Sequence, residues 1–331
     1  MRYPYAVAGP IRACRRRAYL LAVLLVAFAG ACGKRTPAHK TNPAASALGG
    51  DARAPAEADI LRQSLLSFEA YRRKVPGSPG VYRIRIECAG RHLFYCGFPH
   101  SLDPNDSHFV RLEDFWRQYL GVSQPARRLV LVEGGLRPLK ATREQAIAEA
   151  GGEGGLLTLL AHQAGVRKML SPEPGPKQAV ERHAGRASRE QICHAYVARR
   201  IALWHRFEER PRLDGYLRKS SWLAAMDCDL GLEHVARMHE SLFSTPFDVE
   251  DRAFFRHITD PARSDTLVNR ILREDTRLRD EHIVTEIVRH FRSGRDLFVV
   301  FGTAHAVMQE PALRRLLCDR CPGHCRSESH S

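Results

Sequence analysis

Three short apolar runs constrain the fold of this chain more than anything else in it. Leu93-Phe94-Tyr95-Cys96, Leu129-Val130-Leu131-Val132 and Leu297-Phe298-Val299-Val300-Phe301 are too short for buried helices and rich in β-branched and aromatic side chains. Residues 109–119, 142–150, 154–164 and 311–317 carry apolar side chains at helical spacing. Strands separated in this way imply an α/β fold with a mainly parallel central sheet and flanking helices on both faces. Val81-Tyr82-Arg83-Ile84-Arg85-Ile86 alternates like a strand, and Ala89-Gly90 turns it onto the 91–96 run as a hairpin. Residues 166–170 read as one more short strand, and 59–73 as a helix. Between 178 and 277 no strand is visible; Tyr196, Ile201, Leu203 and Trp204 recur at helical intervals. The α/β domain is therefore expected in two halves, 58–177 and 278–317, around an inserted helical layer at 178–277, with a Cys-rich tail at 318–331.

The first residues read as a targeting signal. Arg15-Arg16-Arg17 precedes an apolar run over 19–28, shorter than the roughly 20 residues a spanning helix needs. Ala29-Gly30-Ala31-Cys32 follows, small residues before a cysteine as in a lipobox, although Ala29 stands where a larger aliphatic residue is usual. Segment 1–32 is thus expected to be a lipoprotein-type signal peptide, with Cys32 acylated by chains such as palmitate. An ordinary signal peptide cut near Ala31 is the alternative. Arg16-Arg17-Ala18-Tyr19-Leu20 also resembles a twin-arginine signal. Residues 33–57, rich in Ala, Pro, Gly and Thr, read as a flexible tether. These features place the protein on the periplasmic side of a bacterial membrane, exported and lipid-anchored, with the membrane as its partner.

The net charge is +14 over 331 residues, and the basic residues are scattered along helical stretches. No basic block interleaved with aromatics occurs, so nucleic acid is not an expected partner. Once Cys14 and Cys32 are set aside, seven cysteines remain: Cys88, Cys96, Cys193, Cys228, Cys318, Cys321 and Cys325. Export permits disulfides, and the odd number leaves at least one thiol free. Cys318, Cys321, His324 and Cys325 crowd the tail without a second half-site, so a local disulfide or loose tail is expected rather than zinc.

The apolar runs carry chemistry at their ends. Gly97-Phe98-Pro99-His100 follows the 91–96 run, and Gly302-Thr303-Ala304-His305 follows the last one. In each, a glycine is read as letting the backbone turn so that a histidine returns over the sheet edge. Glu133 directly follows Val132, and Glu173 follows 166–170 through Ser171-Pro172. Glu153 opens a helix, where a carboxylate also favours the N-terminus. Parallel strands put their carboxyl ends on one side, where open α/β sheets bind ligands. His100, Glu133, Glu153 and His305 are therefore expected around one pocket. Arg279-Asp280-Glu281-His282 reads as the first turn of a helix, either solvated or part of the site. His234 and His239 read as surface or core histidines, and Tyr82 and Tyr95 as packing residues. Neither a Gly-x-Ser-x-Gly elbow nor a His-Glu-x-x-His motif is present, which disfavours ordinary serine hydrolases and zincins.

Paired Gly-x-x-His motifs, a glutamate closing the next strand and a later Gly-Glu-x-Gly-Leu helix start resemble the Tiki/TraB superfamily, which includes haem-binding ChaN-like lipoproteins and erythromycin-esterase-like enzymes. The resemblance covers residues 91–179 and 276–316. It implies His100, Glu133, Glu153 and His305 as site residues, with Arg279 as the arginine that members use. The expected function is a membrane-tethered hydrolase of ester or peptide bonds acting on a small molecule or peptide. His100, Glu133 and His305 would hold Mn, Fe, Co or Zn if a divalent metal takes part. The alternatives are a haem- or iron-binding lipoprotein without turnover and a degenerate structural member.

Overall fold

Ala89 and Gly90 both take positive φ, 50° and 66°, the pair of left-handed residues that a two-residue hairpin turn requires. They fold strand β1 (Tyr82–Cys88) back on β2 (Arg91–Phe98), with Cys88 opposite Arg91. Strands β3 (Arg128–Val132), β4 (Met169–Leu170), β5 (Asp296–Gly302) and β6 (Arg326–His330) complete one sheet in the order β4-β3-β5-β2-β1-β6. The β4–β3, β3–β5 and β5–β2 pairs are parallel; β1 pairs antiparallel with β2 and with β6. This computed structural model describes residues 53–75, 77, 80–207, 209–319 and 326–330, all within the unit Gly50–Ser331. The signal segment, Cys32, residues 33–52, Cys321, His324 and Cys325 lie outside the described residues.

Alternation along the strands builds two apolar faces. Phe94, Cys96, Val130, Val132, Phe298 and Val300 point to one side, onto α3 (His108–Val122) and α5 (Glu153–Gln163). Leu93, Tyr95, Leu129, Leu131, Val299 and Phe301 point to the other, onto α12 (Leu267–Arg292) and α13 (Thr303–Cys318). Each fully buried Leu, Val or Phe contributes about 1.5–3 kcal/mol, so β5, buried along its whole length, anchors the sheet. At the amino end of β5, the buried Asp296 carboxylate accepts from the His92 and Gln124 amides and from Arg127 Nε, each at 3.0 Å. That carboxylate is fully used in holding the edge opposite the histidine motifs.

The remaining helices are α1 (Arg53–Ser64) and α2 (Phe68–Lys74) before the sheet and α4 (Arg143–Glu149) ahead of α5. The inserted layer holds α6 (Pro176–Arg182), α7 (Arg189–Trp204), α8 (Leu213–Arg218), α9 (Ser221–Ala225), α10 (Leu232–Phe243) and α11 (Arg252–Ile258). Among the described residues, 178–277 contain no strand. This layer has its own apolar cluster, built on Tyr196, Ile201, Leu217, Leu223, Phe255 and Leu272. A disulfide joins Cys193 in α7 to Cys228. Cys88 and Cys318 are also disulfide-bonded, and Cys96 is free and buried. His239 is a core residue, packed against Phe243 and Phe254, and His234 lies 3.7 Å from Asp229 near the surface.

The structure departs from the sequence expectations at several places. Residues 53–57, read as tether, already belong to α1. Residues 59–73 form two helices rather than one, broken after Ser64. The 166–170 strand shrinks to Met169–Leu170. The tail contributes β6, an edge strand that pairs through its backbone and lacks any apolar alternation to announce it. Finally, α13 starts at Thr303, eight residues before Pro311, which sits inside the helix; the proline forgoes one intrahelical bond and the rest of the helix tolerates that loss. Helix α12 likewise runs unbroken through 277, so the helical layer and the sheet share one 26-residue element.

Candidate active site

His100 sits just beyond β2 with φ at 57°, a left-handed conformation that costs a non-glycine residue roughly 1–3 kcal/mol. That turn carries its ring back over the carboxyl ends of β2 and β5. Gly302 makes room for it: a Cβ there would lie 2.7 Å from His100 Nε2. Gly97 is needed for close approach as well, since its Cβ would meet Ala306 Cβ at 2.6 Å. Neither glycine has a positive φ, so both motif glycines serve proximity rather than the sharp turn expected of them.

The His100 Nδ1 edge is bonded to Glu153, the first residue of α5, in a very short contact. Glu153 follows Gly152, whose φ of 65° and crowding by the Ser101 carbonyl exclude a side chain. The same carboxylate therefore faces the helix N-terminus and orients His100. Glu153 is buried, whereas 57% of the His100 side chain is exposed, leaving Nε2 directed at a cleft of about 450 Å³ that includes Ser101, Glu133 and Arg137. Nε2 lies 3.7 Å from Glu133 Oε2. The hydrogen bond to Glu153 raises the His100 pKa; burial opposes the rise, and the Glu153 and Glu133 charges reinforce it.

Glu133, at the end of β3, is the hub. Its Oε2 accepts the Gly302 amide at 2.6 Å and its Oε1 accepts Arg279 Nη2 at 2.7 Å. Burial pushes its pKa up, but His305, Arg279 and His100 outweigh that and hold it down at about 2. Arg279 also donates through Nε to Glu173 Oε1 at 2.9 Å, and Glu173 in turn accepts the Gly134 amide. Burial alone would lower the Arg279 pKa, yet Glu173 and Glu133 raise it further, so the guanidinium stays charged.

His305 lies in the first turn of α13. Arginine has only donors, so Arg279 Nη1 donates to His305 Nε2 at 3.0 Å. His305 Nδ1–H then donates to Asp280 Oδ1 at 2.6 Å. Gln309 Nε2 donates to the same oxygen at 2.6 Å, and Gln309 Oε1 accepts the Tyr95 hydroxyl at 2.9 Å. Tyr95 is thus buried and occupied, and Tyr82 donates to Glu310 Oε2 at 2.5 Å.

The structure brings His100, Glu133, Glu153, His305 and Arg279 together around Glu133, with Glu173 alongside. Arg279 and Asp280 stand in the middle of α12, not in a first turn, because the Thr266–Asn269 capping box starts that helix far upstream. His305 Nε2 and His100 Nε2 each lie 3.7 Å from a Glu133 oxygen, and the Arg279 guanidinium bonds to both His305 Nε2 and Glu133 Oε1. Among the described residues, no group of three His, Cys, Asp or Glu is arranged to hold a metal.

Two contributors escaped the sequence reading. Gln309 is one, six residues after the start of a helix that the sequence places eight residues too late. Arg137 is the other: it lies across Gly134, Gly151 and Gly154, whose Cβ atoms would meet it at 2.6, 3.1 and 3.4 Å. Its Nε is buried without an acceptor. A glycine seat drawn from two loops is the signal, and it shows only once those loops are in space. Comparison with protein-family models, with curated proteins and with solved structures gives no match.

Proposed function

We propose that this chain is an exported, membrane-tethered hydrolase of the Tiki/TraB type that cuts ester or peptide bonds with His100 as general base. The supporting observation is a carboxylate–imidazole pair whose inner nitrogen is fixed by buried Glu153 and whose outer nitrogen faces a cleft, 3.7 Å from Glu133. A water between His100 Nε2 and Glu133 Oε2 can bond to both. His100 takes one of its protons, and the oxygen adds to the substrate carbonyl carbon. Collapse expels the alcohol or amine, which receives the proton from His100. Glu133, ionised at any working pH, orients the water. Arg137 is the cation on that cleft available to a developing oxyanion. His305, backed by Asp280, positions Arg279, which neutralises Glu133 and Glu173. Export and tethering rest on segment 1–32 and Cys32.

The experiment is hydrolysis of p-nitrophenyl butyrate by the purified protein and by His100→Ala, with thermal melts as the folding control. A loss of about 100-fold or more in kcat/KM with the melt unchanged supports the reading. Equal activity of the two proteins, or a Soret band in the purified sample without turnover, overturns it.

A further inference from the structure

A second cleft of about 340 Å³ leaves the site on the side of the inserted layer, within the range of ligand pockets. Its inner end is Glu133, Glu173 and Arg279; its outer walls are Tyr196, Arg200, Leu203 and Trp222, with Leu223 and Pro174. Every carboxylate on it already has donors. Glu133 and Glu173 share Arg279. Asp275, one turn before Arg279 on α12 and hence about 6 Å further out, accepts the Tyr196 hydroxyl at 2.5 Å and lies 3.7 Å from Arg199.

The donors at the outer end have no such balance. The Arg200 guanidinium stacks on Tyr216, 4.3 Å from the ring centroid, and among the described residues no carboxylate pairs with it. Its Nε and the Trp222 indole nitrogen are both buried without an acceptor. Unpaired buried donors are costly, and two among the residues lining one cleft call for an acceptor the chain does not supply.

We propose that this cleft binds a small amphipathic carboxylate, its apolar body along Leu203, Leu223 and Trp222 and its carboxylate at Arg200. This rests on the hydrolase reading only in making that molecule the substrate, with its scissile carbonyl toward Glu133. One guanidinium and one indole N–H match the two oxygens of a carboxylate; a phosphate dianion calls for more donors.

The test pairs two readouts on the full chain. Calorimetry with 4-phenylbutyrate and its uncharged amide, 4-phenylbutyramide, measures the subsite without catalysis. The acid is expected to bind at least about tenfold tighter than the amide, with the preference abolished in Arg200→Met and partly kept in Arg200→Lys. Methionine keeps the apolar contact with Tyr216, and a thermal melt verifies the fold. The second readout is the ratio of kcat/KM for mono-p-nitrophenyl glutarate to that for p-nitrophenyl butyrate, which should fall in Arg200→Met. Acid-selective binding without turnover of either ester leaves the subsite standing and overturns the hydrolase reading. Equal binding of acid and amide, binding of neither, or a preference that survives Arg200→Met overturns the subsite whatever the esters show. Displacement of phenylbutyrate by inorganic phosphate at lower concentration overturns the carboxylate assignment.

Discussion

The chemistry of single side chains here is set by which partner each imidazole edge and carboxylate oxygen finds. Glu153 raises the pKa of His100 above its ordinary value near 6.5, and a general base works once deprotonated. The kcat/KM of the wild-type protein should therefore rise with pH through a point above 6.5. In Glu153→Gln that point should move to lower pH, and the same shift should appear in an NMR titration of His100, which needs no activity. An unchanged His100 titration in the variant would remove Glu153 from the mechanism. Gly302→Ala puts a Cβ 2.7 Å from His100 Nε2. It should cost about 1–3 kcal/mol of stability and more than tenfold in activity; a variant with full turnover contradicts the seating of His100. Glu133 is the opposite case to His100. Its folded pKa, about 2, lies below the roughly 4.3 of a free glutamate. Its stabilisation is therefore complete above about pH 4.5 and is lost as pH falls through 4 toward 2. Arg279→Met should cost about 3 kcal/mol at pH 7 by stranding Glu133 and Glu173. That difference in urea midpoint should shrink as the pH is lowered toward 2; a constant gap would show that the ion pairs are not its source.

At the scale of elements, α12 and α13 do most of the positioning. Arg279 and Asp280 are neighbours on α12, and His305 and Gln309 are one turn apart on α13, so the contact between these helices sets the Asp280–His305 geometry. The sequence reading found the strands because period-two burial on a sheet and short apolar runs mark them directly. It misplaced the start of α13 because Pro311 resembles a first-turn proline, whereas the strand-to-helix junction at Gly302 has no side-chain cap to advertise it. It missed β6 because an edge strand draws on backbone bonds, which leave no hydrophobic pattern. The Cys193–Cys228 bridge spans 35 residues of the inserted layer. Replacing both cysteines by serine should lower stability by about 2–4 kcal/mol, read as a drop in Tm, with the sheet's circular dichroism retained.

For the whole molecule, the sheet's carboxyl edge and the inserted layer meet along Glu133, Arg279 and the second cleft, so the layer belongs to the site and is more than a cover. The proposed membrane tether rests on the first 32 residues alone and is tested apart from the fold: Cys32→Ala should move the protein from the membrane fraction to the soluble fraction. A variant that stays membrane-bound and uncleaved would make segment 1–32 an anchor instead.

Local patterning along the chain was enough for the class of fold and the edge of the sheet that carries the site. Alternation and short apolar runs specified the α/β class, helical periodicity specified the inserted layer, and the position of His100, Glu133 and Glu173 after strands put them at one edge, because parallel strands share an end. Folding in three dimensions adds what depends on distances between segments far apart in the chain. The Arg279 guanidinium bonded to both His305 and Glu133, 146 residues from Glu133 along the chain, is one such arrangement. The reason for the glycines in both motifs is another: it lies in the approach of His100 to Gly302 and of Ala306 to Gly97. The orphan donors at Arg200 and Trp222 are a third, since a missing partner can be recognised only when every neighbour is in place.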